Sequence, residues 1–338
     1  MQPPRDVFST GVAKGRDPLD SATSTSVLKA EEIEKLGARS LAEVLRNIPG
    51  IRTESSTGES NSNYTIRGLP LASGGSKYMQ IEEDGLPVLE FGDIFNVASD
   101  IFIRYDFNIG QIEAIRGGSA SSFASNSPGG VINLISKTGD VEGGSIAMTT
   151  GLDYDSKRLD FDYGTKLSDT LRMHIGGFYR TGEGPRDVGF NAYKGGQLKF
   201  NITKELPTGY IRLHAKWLDD RSPQYVTVPV KITGTDADPK LASFPNFDVQ
   251  RDSLLSSNIN SLVTLDSNNA PRAFSTHEGM RAQVKSIGLE SQFDLAGWTI
   301  TERFRYSAIS GSTLRNQVFT LYSGASLPAS AGGAGGSL

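Results

Sequence analysis

The sequence predicts an α+β domain followed by an antiparallel transmembrane β-barrel, of which this chain carries only the first part. Residues 111–137 hold two short alternating segments around a loop of Gly, Ser, Ala, Asn and Pro, which predicts strand, tight loop, strand. From Gly143 onward, apolar and charged residues alternate with period two along segments near the ~9–11 residues that a tilted strand needs to cross a bilayer. Short and longer links alternate between these segments, as they do in membrane barrels.

Composition is compatible with this fold and excludes several kinds of site. The 338 residues suffice for two domains, and the absence of cysteine excludes disulfides, cysteine zinc sites and thiol catalysis. The formal net charge of −4 gives no general reason to expect a nucleic-acid partner. Three scattered histidines and the lack of a nucleophile elbow, a Walker loop or a His-Glu-x-x-His motif indicate that the protein is not an enzyme, and we expect no cofactor and no metal site.

Residues 1–23 are polar and rich in Pro, Gly, Ser and Thr, so they are predicted to be a flexible segment. One short patch within them has residues that favour an extended strand. It consists of Asp6, Val7, Phe8, Ser9, Thr10 and Gly11. On composition alone, this patch is interpreted as part of a frayed terminus.

The next residues predict a strand and two short helices, over 24–28, 30–36 and 40–47. Gly37 ends the first helix, and Ser40 can cap the second because Glu43 follows it at the capping-box spacing. The apolar residues of the second helix fall on one face, and Pro49 with Gly50 ends it.

Three further strands are predicted over 63–68, 77–83 and 86–89. Asp84 and Gly85 join the last two and form a strong two-residue hairpin signal. The acidic run that precedes this turn, Glu82 to Asp84, is expected to be a solvated strand end rather than a metal site. The α+β domain is therefore predicted to end near residue 139.

Several of these strings, in the order in which they occur, resemble the plug domain of TonB-dependent outer-membrane receptors. The matching strings are the helix and turn Leu41–Ile51; Ile66-Arg67-Gly68; Asp84-Gly85-Leu86-Pro87; Ile112-Glu113-Ala114-Ile115-Arg116-Gly117; and Gly129-Gly130-Val131-Ile132-Asn133. The resemblance implies a flexible segment at 1–23, a plug domain at 24–139 and the first part of a barrel at 140–338. The barrel of such plugged transporters has about 22 strands.

The resemblance also implies roles for particular residues. The patch Asp6 to Gly11 resembles the TonB box, an extended peptide that adds as an edge strand to the periplasmic partner TonB. Arg67 and Arg116, each followed by glycine, resemble the arginines that hold the plug to glutamates on the barrel wall. Those glutamates belong to later strands that we expect this chain to lack. The alternative is that both are ordinary surface arginines at turns.

Seven barrel strands are predicted after the plug. They cover residues 144–153, 157–167, 170–181, 193–203, 208–218, 281–295 and 297–309. The link over 219–280 is predicted to be a long structureless loop, and His174 and His214 fall on the charged faces that would line the lumen. An open set of seven strands cannot close in lipid, and no apolar signal segment follows Met1, so we expect a fragment that lacks both ends of the protein.

The function that the resemblance implies is TonB-dependent import of a scarce solute across the Gram-negative outer membrane. Ferric siderophores are the commonest substrates of the family, and haem, cobalamin and carbohydrates remain open. The expected partners are TonB, the extracellular solute and outer-membrane lipid. The alternatives are a porin or adhesin barrel, and a soluble α+β binding module joined to a β-sandwich.

Overall fold

The computed structural model describes residues 8–11, 23–55, 57–70, 77–90, 93–94, 97–117, 124–125, 127–266 and 268–314. The predictions for Asp6, Val7 and the small-residue segment after position 314 lie outside these residues. Among the described residues, no helix has the length and apolar character required to cross a membrane.

The first part of the chain folds around one five-stranded sheet. Its elements are β1 Ser24–Lys29, α1 Ala30–Lys35, α2 Leu41–Leu45, β2 Ile51–Glu54, β3 Asn63–Ile66, β4 Met79–Glu83, β5 Leu86–Pro87, β6 Asp93–Ile94, β7 Val97–Ala98, β8 Ile109–Arg116 and β9 Gly130–Ser136. The strand order is β1-β8-β9-β4-β5, with β4 parallel to β9 and the other pairs antiparallel. We refer to residues 24–139 as the plug.

The plug core lies between this sheet and the two short helices. Helix α2 begins as the capping signal predicts, because the Ser40 side chain accepts a hydrogen bond from the Glu43 N–H at 3.3 Å. Its apolar face is buried against the middle strands of the sheet, where Ile112 and Ile132 have no exposed surface. Each such side chain contributes about 1.5–3 kcal/mol by burial, so the plug has a core of its own.

A seven-stranded antiparallel sheet follows, which we call the wall. Its strands are β10 Gly143–Thr150, β11 Ser156–Ser168, β12 Leu171–Gly182, β13 Tyr193–Leu206, β14 Gly209–Ser222, β19 Met280–Leu295 and β20 Trp298–Thr313. They pair in chain order without a crossover, so the predicted fold class and the seven strands are confirmed. The apolar face points outward: Leu159 and Tyr163 are exposed, whereas Asp160 and Asp162 of the same strand are buried against the plug side.

The long link between β14 and β19 is not structureless, and that prediction was wrong. It contains two hairpins, formed by β15 Lys231–Thr235 with β16 Asp238–Ala242 and by β17 Ser261–Leu265 with β18 Pro271–Ser275. In the second hairpin, the Asp266 carboxylate accepts hydrogen bonds from the N–H groups of Asn268 and Ala270 at 2.8 and 2.9 Å. Side-chain bonds of this kind stabilise turns that no apolar alternation reveals.

Candidate functional site

The N-terminal residues Phe8 to Gly11 lie on the plug sheet, although the sequence predicts a flexible segment there. Phe8 is only 3% exposed and packs against Ile115 and Val131. The Ser9 N–H lies 3.0 Å from both carboxylate oxygens of Glu113. Thr10 donates to the same carboxylate from its N–H at 2.7 Å and from its hydroxyl at 2.5 Å. One fully buried acid therefore receives the donors of two successive residues.

Glu113 and Asn133 occupy directly opposite positions on β8 and β9. The Asn133 amide donates to the Thr10 hydroxyl oxygen at 3.0 Å, and its carbonyl oxygen accepts from the Gly85 N–H at 3.0 Å. Burial raises the pKa of Glu113, an effect that the bonds from Thr10 and Ser9 only partly oppose. The two motif residues thus connect the N-terminal segment, the centre of the sheet and the β4–β5 turn.

The motif glycines lie where the main chain approaches other groups too closely for a side chain. A Cβ at Gly130 would lie 2.7 Å from the Ile115 carbonyl oxygen, and a Cβ at Gly129 would collide with Ile66. Gly117 has φ +100° and donates its N–H to the Gly129 carbonyl oxygen at 2.7 Å. These close contacts bring the two ends of the loop between β8 and β9 together. Residues 118–123 of that loop lie outside the described part of the chain.

Arg67 and Arg116 are brought together near Gly50, where a Cβ would lie 3.8 Å from Cγ of Arg67 and 3.9 Å from Cδ of Arg116. Arg116 donates to the main-chain carbonyls of Pro49 and Thr25. Burial and the nearby charge of Arg67 lower the pKa of Arg116. Gly68, which follows Arg67, has φ +75°, as a turn at this point requires. The bonds found for Arg116 lie within the plug, and a latch to carboxylates on the wall remains a prediction.

The Asp84-Gly85 turn has positive φ at both residues, +54° and +79°, which is the type I′ geometry that the pair predicts. Asp84 also accepts hydrogen bonds from the Ser136 N–H at 2.8 Å and the Ser136 hydroxyl at 2.9 Å. The prediction that this acidic run is solvated was wrong, because Glu82 and Glu83 are 6% and 7% exposed. In place of water, these two carboxylates face the charged side chains of the wall.

Glu83 connects the plug to the middle of the wall. Its carboxylate lies 2.9 Å from the Nζ atoms of Lys199 on β13 and Lys216 on β14. Burial alone would raise the pKa of Glu83, but Lys199, Lys216 and Arg305 outweigh that effect and hold the pKa well below its usual range. Arg305 on β20 also donates to the Glu83 and Pro87 carbonyl oxygens, so the β4–β5 hairpin is fastened to three wall strands.

A second buried cluster connects the plug to β12 and β14. Asp220 has no exposed surface and accepts from Nε of Arg104, in the plug, at 2.7 Å. It also accepts from Nη2 of Arg180, on β12, at 2.7 Å, and Arg180 bonds Glu59 in the loop before β3. Arg104 in turn donates to the main-chain carbonyl of Asp100. Removing one member of such a buried pair leaves the other charge uncompensated.

Lys199, Lys216 and Arg180 lie on strands that the sequence predicts, but the sequence did not identify their partners. The signal that could have identified these partners is the acidic run Glu82 to Asp84, together with the lysines and arginines on the predicted inner face of the sheet. His174 lies on the plug side of the wall as predicted, where its Nε2 is 3.2 Å from Asp162. Within the described parts of the chain, no group of three or more His, Asp or Glu residues could hold a metal ion.

Comparison with known proteins gives the following relationships. Residues 17–131 match the sequence model of the TonB-dependent Receptor Plug Domain. The chain is 29% identical over 177 residues to the ferric enterobactin receptor PirA of Pseudomonas aeruginosa, which covers 47% of this chain and 23% of that protein. It is 31% identical over 125 residues to the vitamin B12 transporter BtuB of Photobacterium profundum, which covers 37% of this chain and 19% of that protein. The chain therefore spans under a quarter of the length of these relatives.

Among solved structures, the fold is similar to that of BauA, the ferric preacinetobactin receptor of Acinetobacter baumannii. The TM-score is 0.61 at 17% identity, and the match covers 90% of this chain and 40% of that one. At this identity the similarity concerns the fold, and it includes both the plug and the wall.

Proposed function

We propose that the chain belongs to the TonB-dependent receptor family, because residues 17–131 match the sequence model of its plug domain, and that the protein imports a scarce solute across the Gram-negative outer membrane. The observation that supports this most is the seating of the plug against the charged face of the wall through Glu83 and Asp220. A sheet with one apolar outer face and one charged inner face suits a barrel in lipid, with the plug filling its lumen. A porin or adhesin has no need of such a plug.

We propose a ferric siderophore as the substrate. The support is the relationship to a ferric enterobactin receptor and the fold shared with a ferric preacinetobactin receptor. Cobalamin is the second candidate, because a vitamin B12 transporter is among the relatives. Haem and carbohydrates are further possible substrates of the same mechanism. In this proposal the iron is cargo, and the protein has no catalytic role and no resident cofactor.

The energy for import is proposed to come from TonB, which would bind the segment Asp6 to Gly11 by strand addition. The first two residues of that segment lie outside the described part of the chain. The flexible segment, plug and partial barrel are proposed to divide at residues 23 and 139. This division is compatible with the last plug strand ending at Ser136 and the first wall strand beginning at Gly143.

The testing experiment is uptake by cells that express the complete receptor. Iron-55 bound to a catecholate siderophore and cobalt-57 cobalamin are offered separately, with and without a functional TonB. We expect TonB-dependent accumulation of iron alone. Accumulation of cobalamin alone would show that the substrate is cobalamin, and it would leave the proposed TonB-dependent mechanism unchanged. Accumulation that is independent of TonB would favour a porin and contradict the proposal.

A further inference from the structure

We propose that the outer face of the wall binds the phosphate groups of a lipid at its extracellular end. We call this surface the rim, and it consists of Lys157, Lys194, Arg221, Arg281 and Lys285. The partner that this chemistry fits is the phosphorylated glucosamine headgroup of lipopolysaccharide. The assignment rests on the proposed function, because that function places the wall in the Gram-negative outer membrane.

The rim lies at the end of the wall that carries the longer links. Strands β11 and β12, β13 and β14, and β19 and β20 are joined at the other end by links of two residues. At the rim the links cover residues 183–192 and 223–279, and in membrane barrels the longer links are extracellular. The exposed rings of Tyr179 and Trp217 lie near this end, as aromatic side chains do at the boundary between hydrocarbon and headgroups.

Four of the rim residues lie in one row across the strands. Lys194 pairs with Arg221, which pairs in turn with Arg281. Lys157 joins the row through Thr181, which is the partner of both Lys157 and Lys194. The alternation of the strands places these side chains on the outer face, away from the plug. Like charges directly opposite one another destabilise a sheet, so the row requires anions.

Carboxylates of the chain balance only part of this charge. Lys194 and Lys285 are exposed, and neither has a carboxylate within ion-pair distance among the described residues. Lys285 lies directly opposite Trp217 on the apolar outer face, where an uncompensated charge is costly. Two positive charges therefore remain for an external anion. The balanced rim cations are Lys157 with Asp155 at 3.3 Å, Arg221 with Glu278 at 3.6 Å, and Arg281 with Asp219 at 2.8 Å.

The opposite end of the outer face has no such surplus. There, the outward positions of β13 and β20 carry Lys204 and Glu302, which have one charge of each sign. The two ends thus differ in charge although both must meet lipid headgroups. An anionic partner is therefore expected in the outer leaflet, and a headgroup with two phosphates can contact both Lys194 and Lys285.

The test measures lipid binding by the purified complete receptor in a non-ionic detergent. The probes are diphosphoryl lipid A, its dephosphorylated form and inorganic phosphate. We expect the diphosphoryl form to bind more tightly than the dephosphorylated form, and inorganic phosphate not to displace it. The double variant Lys194→Gln, Lys285→Gln should raise the Kd for diphosphoryl lipid A at least fivefold, because these lysines supply the unbalanced charge.

The matched control removes two exposed lysines near the other end, by Lys166→Gln and Lys204→Gln, and should leave the Kd unchanged. An equal Kd in the wild type and the rim variant would overturn the proposal, and so would equal weakening in the control. Equal affinity for the two lipid forms would show that acyl chains, not phosphates, are recognised. Displacement by inorganic phosphate would identify a site for free anions and contradict the choice of a lipid.

The binding assay and the uptake assay separate the two proposals. A receptor that binds the lipid through the rim but shows no TonB-dependent uptake contradicts the proposed function alone. TonB-dependent uptake together with unchanged lipid binding in the rim variant removes the rim site alone. Because the rim side chains face away from the plug, the rim variant should keep the wild-type affinity for the imported solute.

Discussion

The buried acids of the plug differ in the groups that balance them. Glu83 is compensated by two lysines, and Glu113 by N–H and O–H donors of the N-terminal segment. Glu82 faces Arg303 and Arg305, which only partly offset its burial. Neighbouring residues on β4 therefore have opposite behaviour: Glu83 stays ionised, whereas burial raises the pKa of Glu82 to about 7.

The stability of β4 is expected to depend on pH through Glu82. Its pKa rises from 4.5 to about 7 on folding, so between these values the folded state binds the proton that the unfolded state has released. Stability should fall as pH rises from about 4.5 to 7 and level off above that range, by on the order of 3 kcal/mol in total.

The measurement is hydrogen exchange of the β4 amides between pH 5 and 8, corrected for the intrinsic rate at each pH. Protection should decline as pH rises, and Glu82→Gln should remove the decline. A wild-type profile that is flat over this range, or one that rises with pH, would contradict the assignment of the raised pKa to Glu82.

Glu83→Gln should loosen the plug in the wall. It leaves Lys199 and Lys216 buried without their anion, and removing one partner of a buried ion pair costs about 3–5 kcal/mol. The measurement is the urea concentration at which proteinase K begins to cleave the plug in detergent-solubilised complete receptor. The concentration should drop in Glu83→Gln, and adding Lys216→Met should restore part of it. Equal resistance of Glu83→Gln and wild type would show that the lysines are compensated elsewhere.

At the scale of elements, strands with regular alternation were predictable and their long-range partners were not. The wall strands β11, β12, β13, β14 and β19 follow from apolar and charged residues in period two, because each strand has one outer and one inner face. The turn at Asp84 and Gly85 and the cap at Ser40 follow from local chemistry. The link after β14 was wrongly predicted to be structureless, because its hairpin strands are five residues long and largely exposed, and therefore show no apolar alternation.

Strand formation by the N-terminal segment is the basis of the next prediction. Phe8→Pro in the complete receptor should leave ligand binding at the cell surface near normal and reduce uptake to the background level. Proline removes a main-chain donor and fits poorly in a paired strand. The control is Asp169→Pro, in the short turn between β11 and β12. Wild-type uptake by Phe8→Pro would show that the assigned segment is not the one TonB binds.

The plug is expected to fold without the wall, because its core consists of its own residues. A fragment of residues 24–139 should show a β-rich circular dichroism spectrum and unfold cooperatively. A fragment of residues 8–139 should unfold at a higher urea concentration, since Phe8 covers Ile115 and Glu113 regains its donors. A random-coil spectrum for both fragments would count against the proposed boundaries at 23 and 139.

At the scale of the whole molecule, the plug is held by side chains distributed over most of the wall. Lys137 bonds Asp162 on β11, Gln197 on β13 bonds Asp106, and Arg158 on β11 donates to the Tyr105 carbonyl. These contacts could not be predicted, because they depend on the register in which the wall closes over the plug. A charged inner face was predictable, whereas the partner of each charge was not.

Arg67 and Arg116 provide a test at this scale. If they also hold the plug to the rest of the barrel, the double variant Arg67→Ala, Arg116→Ala should admit large antibiotics that the wild type excludes. The single variants should differ little from wild type, because a hydrated ion pair is weak. Growth inhibition by vancomycin is the measurement, and Arg52→Ala, an exposed arginine of β2, is the control. An impermeable double variant with normal transport would leave both residues as ordinary turn arginines.

The bonds between plug and wall also set an order of assembly. Glu83 and Lys199 are separated by 116 positions in the chain, Glu83 and Lys216 by 133, and Arg305 lies 222 positions after Glu83. Contacts between such distant residues form late, because closing long loops costs entropy before any bond is gained. The partners within the plug sheet are at most 92 positions apart, as for Ser24 and Arg116, so this sheet can form before the contacts to the wall. The folded plug then presents Glu83 and the other polar groups that the inner face needs, and it acts as the template around which the wall is assembled.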